Sequence, residues 1–511
     1  MRCRTTTFVL VFFAAALASA PTAHAGGFEY PGRGAKPLGR GGAFTAGADD
    51  SLALQYNPAM LGSLPDPQAN VDLNWPLYQY CQTRYWDDGT PRIGPKVCND
   101  ATALPAPNVG FAMRVHPMFG FGVGLITPSS VNKVQFPNSQ GTVFDPDEDA
   151  FVPAPTRYSL VERDVLLTFP AVGVGFSPAP WLKLGVTFGW GIAHVNFTTT
   201  AHATGGEDAD SDIVTSLDGK DSFVPRVIAS VASEPVPGLD IALRFMWTDD
   251  IKAKGDLNMR FGPGVAELLN MFSEDEVVLD DPLVVQNARI HSPQPWLLAF
   301  GLRYGHQRAG FRGEDSEFAF GGAVDDRMAT EVWDVELNVL YERNSAVDAI
   351  RVKNPEGLYI FDGSPDEEGV GLEVPVPSRI SLAHQWKDQL SIRLGGDYNV
   401  VPEILALRAG VSFETAGVPD AYNQLDFRPA QRFGLHLGLT VRIDRFDLSL
   451  AYAHLFEQTV ENQRGEGEIE QTVGDAELNG MPISIGSPTV VNDGKFESSY
   501  DVFALGLGYH F

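Results

Sequence analysis

The last twelve residues, 500–511, alternate between two kinds of side chain. One set is large and apolar, and it consists of Phe503, Leu505, Leu507, Tyr509 and Phe511. The other set is smaller or polar, and it consists of Val502, Ala504, Gly506, Gly508 and His510. Because successive side chains of a β-strand point to opposite faces, this stretch predicts a strand with one apolar face. Such a strand fits a membrane barrel whose apolar face meets lipid, or a soluble sandwich whose apolar face packs on a second sheet.

The same alternation recurs along the chain, and it favours the barrel. Leu182 to Trp190 and Leu239 to Trp247 both have an apolar outer set, but Asp240 and Arg244 lie in the opposite set of the second run. Unpaired charge is costly in a dry sandwich core, whereas a wet or plugged lumen tolerates it. Short turns alternate with long loops, so residues 67–511 predict an all-β fold, a transmembrane antiparallel β-barrel of about 14 strands.

Composition excludes several classes of function. The formal net charge is -28, which argues against nucleic acid as a partner because nucleic-acid binding needs a basic surface. No nucleophile elbow and no zinc-protease motif occurs, and the histidines have no metal-ligand spacing. We therefore expect neither an enzyme nor a metal or cofactor. The acidic runs near residues 145–149 and 274–281 lack the ligand spacing of an EF-hand, so a solvated acidic surface is the simpler interpretation.

The first 25 residues predict a secretory leader. Arg2 and Arg4 precede an apolar stretch, and small residues favour cleavage between Ala25 and Gly26. An exported protein folds where disulfides persist, so Cys81 and Cys98 are expected to form a bridge. Two free thiols are the alternative.

Residues 26–66 differ from the rest, because they are rich in glycine and show no strand alternation. Glycine permits positive φ and close backbone contact, so such a segment can fold compactly inside another structure. A flexible tail is the alternative, but a tail would expose Phe44, Leu54, Tyr56 and Met60. We therefore predict an N-terminal hatch that plugs the barrel lumen.

Three short motifs in this segment carry a family resemblance. They are Leu38-Gly39-Arg40, then Asp49-Asp50 after Ala48, and then Asn57-Pro58-Ala59. Their order and spacing resemble the hatch of the FadL/TodX family, the outer-membrane transporters of long-chain fatty acids and hydrocarbons. Met60 departs from the family pattern. The terminal Phe511 resembles the C-terminal signature of bacterial outer-membrane proteins. The resemblance implies an integral β-barrel in the outer membrane of a Gram-negative bacterium.

The third predicted strand carries a glycine at every second position, namely Gly120, Gly122 and Gly124. Glycine weakens a strand and leaves room for a close neighbour. The family resemblance implies a kink here that opens the barrel wall sideways. Close packing against the hatch is the alternative, and both can hold together.

A fatty acid would need an inward cation for its carboxylate. The candidates on predicted inner faces are Arg244, Arg303, Arg393 and Arg408. The alternative for each is an ion pair with an inward acid, among which are Asp240, Glu336, Asp397 and Glu414. A hydrocarbon ligand would need none of these arginines.

The resemblance predicts passive uptake of long-chain fatty acids or other hydrophobic small molecules. The steps would be capture by a loop, binding in the lumen, movement of the hatch and lateral release near the third strand. The partners would be the ligand and the outer-membrane lipid and lipopolysaccharide. A surface scaffold or secretion partner and a general porin for polar solutes are the alternatives. The sequence leaves open the ligand, the oligomeric state and the role of the long connection 306–330.

Overall fold

The computed structural model describes residues 32–87, 91–127, 133–136, 142–146, 149–179, 181–271, 276–309, 326–362, 372–471, 475–478, 481–484 and 489–511. The predicted leader and its cleavage site between Ala25 and Gly26 lie outside the described residues. So do parts of the acidic runs and residues 310–325 of the long connection.

Fourteen antiparallel strands form a closed barrel, which confirms the predicted fold class. They are β1 (Gln68–Asp87), β2 (Ala106–His116), β3 (Phe119–Ile126), β4 (Glu162–Ala179), β5 (Leu182–His202), β6 (Asp212–Val236), β7 (Leu239–Thr248 and Ile251–Phe261), β8 (Leu283–Ser292 and Leu297–Gln307), β9 (Glu331–Glu342 and Ala349–Lys353), β10 (Arg379–Ala383 and Gln389–Val401), β11 (Leu405–Glu414), β12 (Arg432–Ile443), β13 (Phe446–Glu457) and β14 (Gly494–His510). The barrel closes where β14 pairs with β1, from Gln68 opposite His510 to Arg84 opposite Gly494.

The remaining helices, 3-10 turns and strands are short. The helices are α1 (Ala35–Gly39), α2 (Ala53–Tyr56), α3 (Pro263–Asn270) and α4 (Arg327–Thr330), and the 3-10 turns are Pro58–Ser63, Pro155–Tyr158, Ala209–Ser211, Asn344–Ala346 and Asp420–Tyr422. The short strands are Pro91–Cys98, Val134–Gln135, Thr142–Asp145, Ala150–Pro153, Tyr359–Asp362, Leu372–Pro375, Val460–Asn462, Asp475–Leu478 and Met481–Ser484. Pro91–Cys98 folds back on the end of β1, and the predicted disulfide joins Cys81 to Cys98 across this pair.

The outer face of the barrel is apolar. Leu243, Phe245 and Trp247 on β7 are each about two-fifths exposed, and Phe503 and Leu505 on β14 are exposed to a similar degree. A soluble monomer rarely exposes a continuous apolar belt of this kind, because water makes it unfavourable. Such a belt must therefore be surrounded by lipid. On β14, the residues that face outward are the apolar set that the sequence predicts for the lipid-facing side.

In the described part of the chain, no helix is both long enough and apolar enough to cross a bilayer.

The two ends of the barrel differ in the length of their connections. Turns of two or three residues join β2 to β3, β4 to β5, β6 to β7, β10 to β11 and β12 to β13. Bacterial barrels place short turns in the periplasm and long loops outside, so this end is periplasmic. The hatch and the C-terminal end of β14 lie at the same end. The connection from β8 to β9 is the long exception, and its described part includes α4.

The hatch packs against the inner wall so closely that some wall positions accept only glycine. A Cβ atom at Gly185 on β5 would lie 2.1 Å from the backbone nitrogen of Ala59 and 2.1 Å from the carbonyl carbon of Pro58. Real atoms do not approach this closely, so a larger residue at 185 must displace the hatch backbone. Ala229 on the neighbouring strand β6 points outward and is exposed.

These two positions give a test of whether the hatch seals the lumen. We expect Gly185→Val to raise the ion conductance of the purified protein in planar bilayers several-fold, because it pushes the hatch from the wall. Ala229→Val adds methyl groups on the lipid side and should leave conductance unchanged. Equal conductance of the two variants, both folded by heat-modifiable electrophoresis, would contradict a sealing hatch.

Candidate functional site

The hatch begins with a short helix that the barrel wall caps. The backbone N–H of Ala35 donates to Asp72 Oδ1 at 2.8 Å, and that of Gly34 donates to Asn74 Oδ1 at 2.9 Å. The first N–H groups of a helix have no partner within the helix. Here side chains of β1 supply those partners, so α1 is fixed to the wall at its first turn.

Arg40 of the first hatch motif joins two strands of the wall. Its guanidinium lies 2.6 Å from Asp334 Oδ1 and 3.4 Å from Glu336 Oε2 on β9, and 2.6 Å from Asp397 Oδ1 on β10. Its Nε also donates to the carbonyl of Ala43 at 3.0 Å. Arg40 is buried. A buried charge is stable only when it is paired and hydrogen-bonded, and this one meets both conditions.

The acidic and Asn-Pro-Ala motifs hold the rest of the hatch. Lys36 lies 3.7 Å from Asp49 and 3.5 Å from Asp50, so both acids of the motif neutralise one hatch lysine. Asn57 Nδ2 donates to the carbonyl of Thr45 at 2.7 Å, which ties the two halves of the hatch together.

The remaining motif residues lie against the wall. Pro58 opens a 3-10 turn, and the N–H of Ala59 donates to Ser230 Oγ on β6 at 2.8 Å. Leu38 is buried, and its carbonyl accepts a hydrogen bond from His436 Nδ1 at 3.0 Å. Gly39 lies where a Cβ would come within 3.0 Å of the Cα of Gly438 on β12.

The structure gives each of the four candidate headgroup arginines a protein partner. Arg303 lies 2.9 Å from Asp240, Arg393 lies 3.0 Å from Glu414, and Arg408 lies 2.9 Å from Asp397. Arg244 donates to the carbonyl of Gln55 in the hatch at 2.9 Å. Glu336, the remaining acid that the sequence offered, contacts Arg40 and the N–H of Ala46 instead. A ligand carboxylate would therefore have to compete with an existing partner at each arginine.

The three glycines of β3 face the hatch and their own wall. A Cβ at Gly120 would lie 1.8 Å from the carbonyl oxygen of Leu61, and one at Gly122 would lie 3.0 Å from Leu54. At Gly124 it would lie 2.4 Å from the carbonyl oxygen of Val109 on β2. β3 pairs with β4 at every residue, so the strand itself contains no gap. This arrangement is the close packing that the sequence offered as one interpretation.

The ladder between β3 and β4 ends directly above these glycines. The last pair is Ile126 with Phe169, and the next strand pair on this side of β4 is Val134 with Arg163. Among the described residues, positions 164–168 of β4 have no strand neighbour on that side. The described ladder on this side of β4 therefore stops above β3 and resumes at Val134.

The extracellular half of the lumen contains an apolar cluster. Inward side chains from several strands and one loop form what we call the upper chamber, which consists of Val165, Leu167, Val195, Phe197, Ile251, Ile290, Ile350 and Phe427. Ser292 and Gln294 are the polar residues at its edge. The side chains nearly fill the space and leave a cavity of about 20 Å³, roughly the room of one water molecule. A larger ligand must move these side chains apart.

The loop between β11 and β12, residues 415–431, closes the upper chamber from outside, and we call it the roof loop. Its Leu425 and Phe427 are buried in the lumen. The guanidinium of Arg163 stacks on the Phe427 ring at 4.5 Å and donates to the carbonyl of Asp426. His384 lies 2.8 Å from Asp426. Burial lowers the pKa of this extracellular histidine, but the carboxylate outweighs burial, so the pKa of His384 is raised above its ordinary value.

The described residues of the long loop between β3 and β4 form two parts. Val134 and Phe136 are buried, and Phe136 packs on Tyr80 of β1 with ring centroids 6.3 Å apart. Phe144 and Phe151 lie on an exposed hairpin, with ring centroids 5.6 Å apart. Phe151 is 71% exposed, which is unusual for such a large apolar side chain.

Sequence comparison assigns the C-terminal part of the barrel. Residues 326–511 match the family model described as outer membrane protein transport protein (OMPP1/FadL/TodX). This part of the chain, residues 326–511, is therefore similar to the FadL/TodX family. A search of curated proteins finds no match.

Solved structures share the fold of this chain. A Pseudomonas aeruginosa FadL homologue is 15% identical, with a TM-score of 0.68 over 95% of this chain and 100% of its own. The Pseudomonas putida toluene transporter TodX is 13% identical, with a TM-score of 0.57 over 94% of this chain and 99% of its own. The CymD monoaromatic hydrocarbon channel is 11% identical, with a TM-score of 0.56 over 94% and 98%. The family and the barrel together place this protein in the outer membrane.

Arg40 allows a direct test of the polar contacts of the hatch. We expect Arg40→Gln to raise ion conductance and lower thermal stability, because it leaves the carboxylates of Asp334, Glu336 and Asp397 short of a cation. Breaking a buried ion pair lowers the free energy of unfolding by about 3–5 kcal/mol. The loss is smaller here to the extent that Arg303 and Arg408 still pair with these acids. Adding Asp334→Asn should restore part of the loss, since it removes one uncompensated charge. Arg343→Gln, at an exposed position, is the control. If Arg40→Gln has the same ion conductance and thermal stability as this control, Arg40 does not hold the hatch in place.

Proposed function

We propose that this protein is a channel for passive uptake of hydrophobic small molecules across the outer membrane. The upper chamber carries the proposal, because it is an apolar site inside the lumen, above a hatch that fills the periplasmic half. Each methylene group that moves from water into such a site gains about 0.8 kcal/mol. A short hydrocarbon therefore needs no energy source to bind there.

The same observation separates this function from its alternatives. A general porin needs a polar, water-filled lumen, whereas side chains such as Val195, Phe197 and Phe427 make this one apolar and nearly full. A scaffold or secretion partner would act through its surface and has no use for an apolar interior chamber. No observation on the described residues favours either alternative.

Uncharged hydrocarbons are the ligand class that we favour over fatty acids. Arg244, Arg303, Arg393 and Arg408 all have protein partners, so a carboxylate would have to displace one of them. An aromatic or aliphatic hydrocarbon needs only the rings and branched side chains of the upper chamber. TodX is a toluene transporter and CymD a monoaromatic hydrocarbon channel, which is the same ligand class in relatives of the same fold.

The proposed route follows the apolar side chains. Phe144 and Phe151 on the exposed hairpin would capture the ligand outside, and movement of the roof loop would admit it to the upper chamber. Val165 and Leu167 line that chamber and lie within positions 164–168, where β4 has no described neighbour towards β3. Lateral release would therefore occur just above the glycines of β3, and movement of the hatch would assist it.

Two neighbouring leucines of β4 give a matched test. Leu167 points into the upper chamber, whereas Leu166 is 42% exposed on the lipid side. We expect Leu167→Gln to reduce the uptake of radiolabelled toluene into proteoliposomes about tenfold, because an amide in an apolar site lacks partners and costs about 1–3 kcal/mol. Leu166→Gln should retain most of the uptake, and both variants should remain folded.

Other substrates in the same assay decide between the ligand classes. Labelled oleate taken up faster than toluene would overturn the preference for uncharged ligands. Uptake of a small sugar at a rate equal to that of toluene would indicate a general porin. If Leu167→Gln transports toluene as well as the unchanged protein, the upper chamber is not the transport site.

A further inference from the structure

Five cationic residues form a single row across the outer wall of the barrel. In the register of the strands, Lys220 on β6 is opposite Lys254 on β7, and Lys254 is opposite Arg289 on β8. Arg289 is opposite Lys353 on β9, and Lys353 is opposite Arg379 on β10. Adjacent strands are about 4.8 Å apart, so the row extends for roughly 20 Å along the wall. We call it the cationic row.

The cationic row is outward and lacks acidic partners. All five side chains are exposed, while the alternate positions Ala253, Ile290 and Val352 face the lumen and are buried. Within the described ranges, none of the five has an acid within 4 Å of its charged group. Like charges that are directly opposite across strands destabilise a sheet. The arrangement is also improbable by composition, because acids outnumber lysines and arginines by 65 to 37 in this chain.

A second set of cations lies between the cationic row and the lipid-facing belt. Lys252 is opposite His291, and His291 is opposite Arg351. Each of these three is paired with an acid at the bend below it: Lys252 with Asp249 at 3.0 Å, His291 with Asp250 at 3.0 Å, and Arg351 with Asp348. The basic side chains nearer the belt are thus paired with acids, whereas the described part of the chain provides no acid partner for the cationic row.

Aromatic side chains mark the edge of the lipid layer under these cations. On the same strands, Trp247, Trp296 and Tyr341 lie on the outward face, and the Trp296 ring is 5.5 Å from that of Tyr341. Tryptophan and tyrosine concentrate where acyl chains meet headgroups. The cationic row follows this belt on the extracellular side, at the level of headgroups and of the sugars that extend from them.

We propose that the cationic row is a binding site for the phosphates and acidic sugars of outer-leaflet lipopolysaccharide. Its cations would take the place of the divalent ions that otherwise bridge neighbouring anionic groups of this lipid. Guanidinium and ammonium groups bind phosphate through charge-assisted hydrogen bonds, and each contributes about 1 kcal/mol near an anionic membrane surface. The proposal depends on the outer-membrane location and not on which ligand the channel transports.

The test compares two triple variants of the full-length protein in detergent. Lys254→Gln, Arg289→Gln and Lys353→Gln together neutralise the centre of the row. Lys96→Gln, Lys387→Gln and Arg464→Gln remove the same charges at exposed positions elsewhere. Native mass spectrometry measures the binding of deep-rough lipopolysaccharide, phosphatidylglycerol and phosphatidylcholine to each variant.

We expect the unchanged protein and the control triple to bind the lipopolysaccharide at least about tenfold more tightly than the row triple, from the loss of three surface cations. Added salt should weaken the binding, because exposed charges are screened. Equal binding by the two triples would overturn the proposal, as would a preference for phosphatidylglycerol equal to that for lipopolysaccharide. A protein dimer that the row triple alone abolishes, with lipid binding unchanged, would assign the row to contact between copies of the chain.

Discussion

The pairing of Arg40 with acids on β9 and β10 is the contact on which the rest of the interior depends. A barrel of this size has a lumen too wide for its own side chains to fill. The hatch fills the periplasmic half, and it is held by a buried cation that the wall neutralises on two strands. Because a buried charge without a partner is so costly, the hatch cannot shift slightly. Any displacement of the hatch must break several of these contacts together.

The two halves of the lumen have opposite chemistry, and this division suits transport of apolar molecules. Below, ion pairs and backbone hydrogen bonds join the hatch to the wall. Above, the upper chamber is lined mostly by apolar side chains, with Ser292 and Gln294 as its polar residues, and the roof loop covers it. A hydrophobic molecule gains free energy in the upper half and none in the polar half. This contrast supports the proposed lateral release into the lipid rather than passage through the hatch.

The sequence predicts the wall far better than the interior. The period of two assigns lipid-facing and lumen-facing residues on strands such as β7, because it follows from strand geometry alone. The hatch is predictable because glycine density and three motifs mark it. The sequence does not predict the burial of Leu425 and Phe427 in the roof loop, because loop residues have no periodicity that distinguishes buried from exposed positions. The ion-pair partners of Arg303, Arg393 and Arg408 cannot be predicted from the sequence, because they depend on the stagger between adjacent strands. Turn lengths do not determine that stagger.

The central claim is that apolar ligands occupy the upper chamber, and bromine can locate them directly. Crystals of the protein would be soaked in 4-bromotoluene, and anomalous scattering would give the bromine positions. We expect a peak inside the upper chamber, in contact with Phe197 and Phe427 and above Arg40. Bromine found only in the detergent around the outer apolar belt, with the upper chamber still closed, would contradict the account.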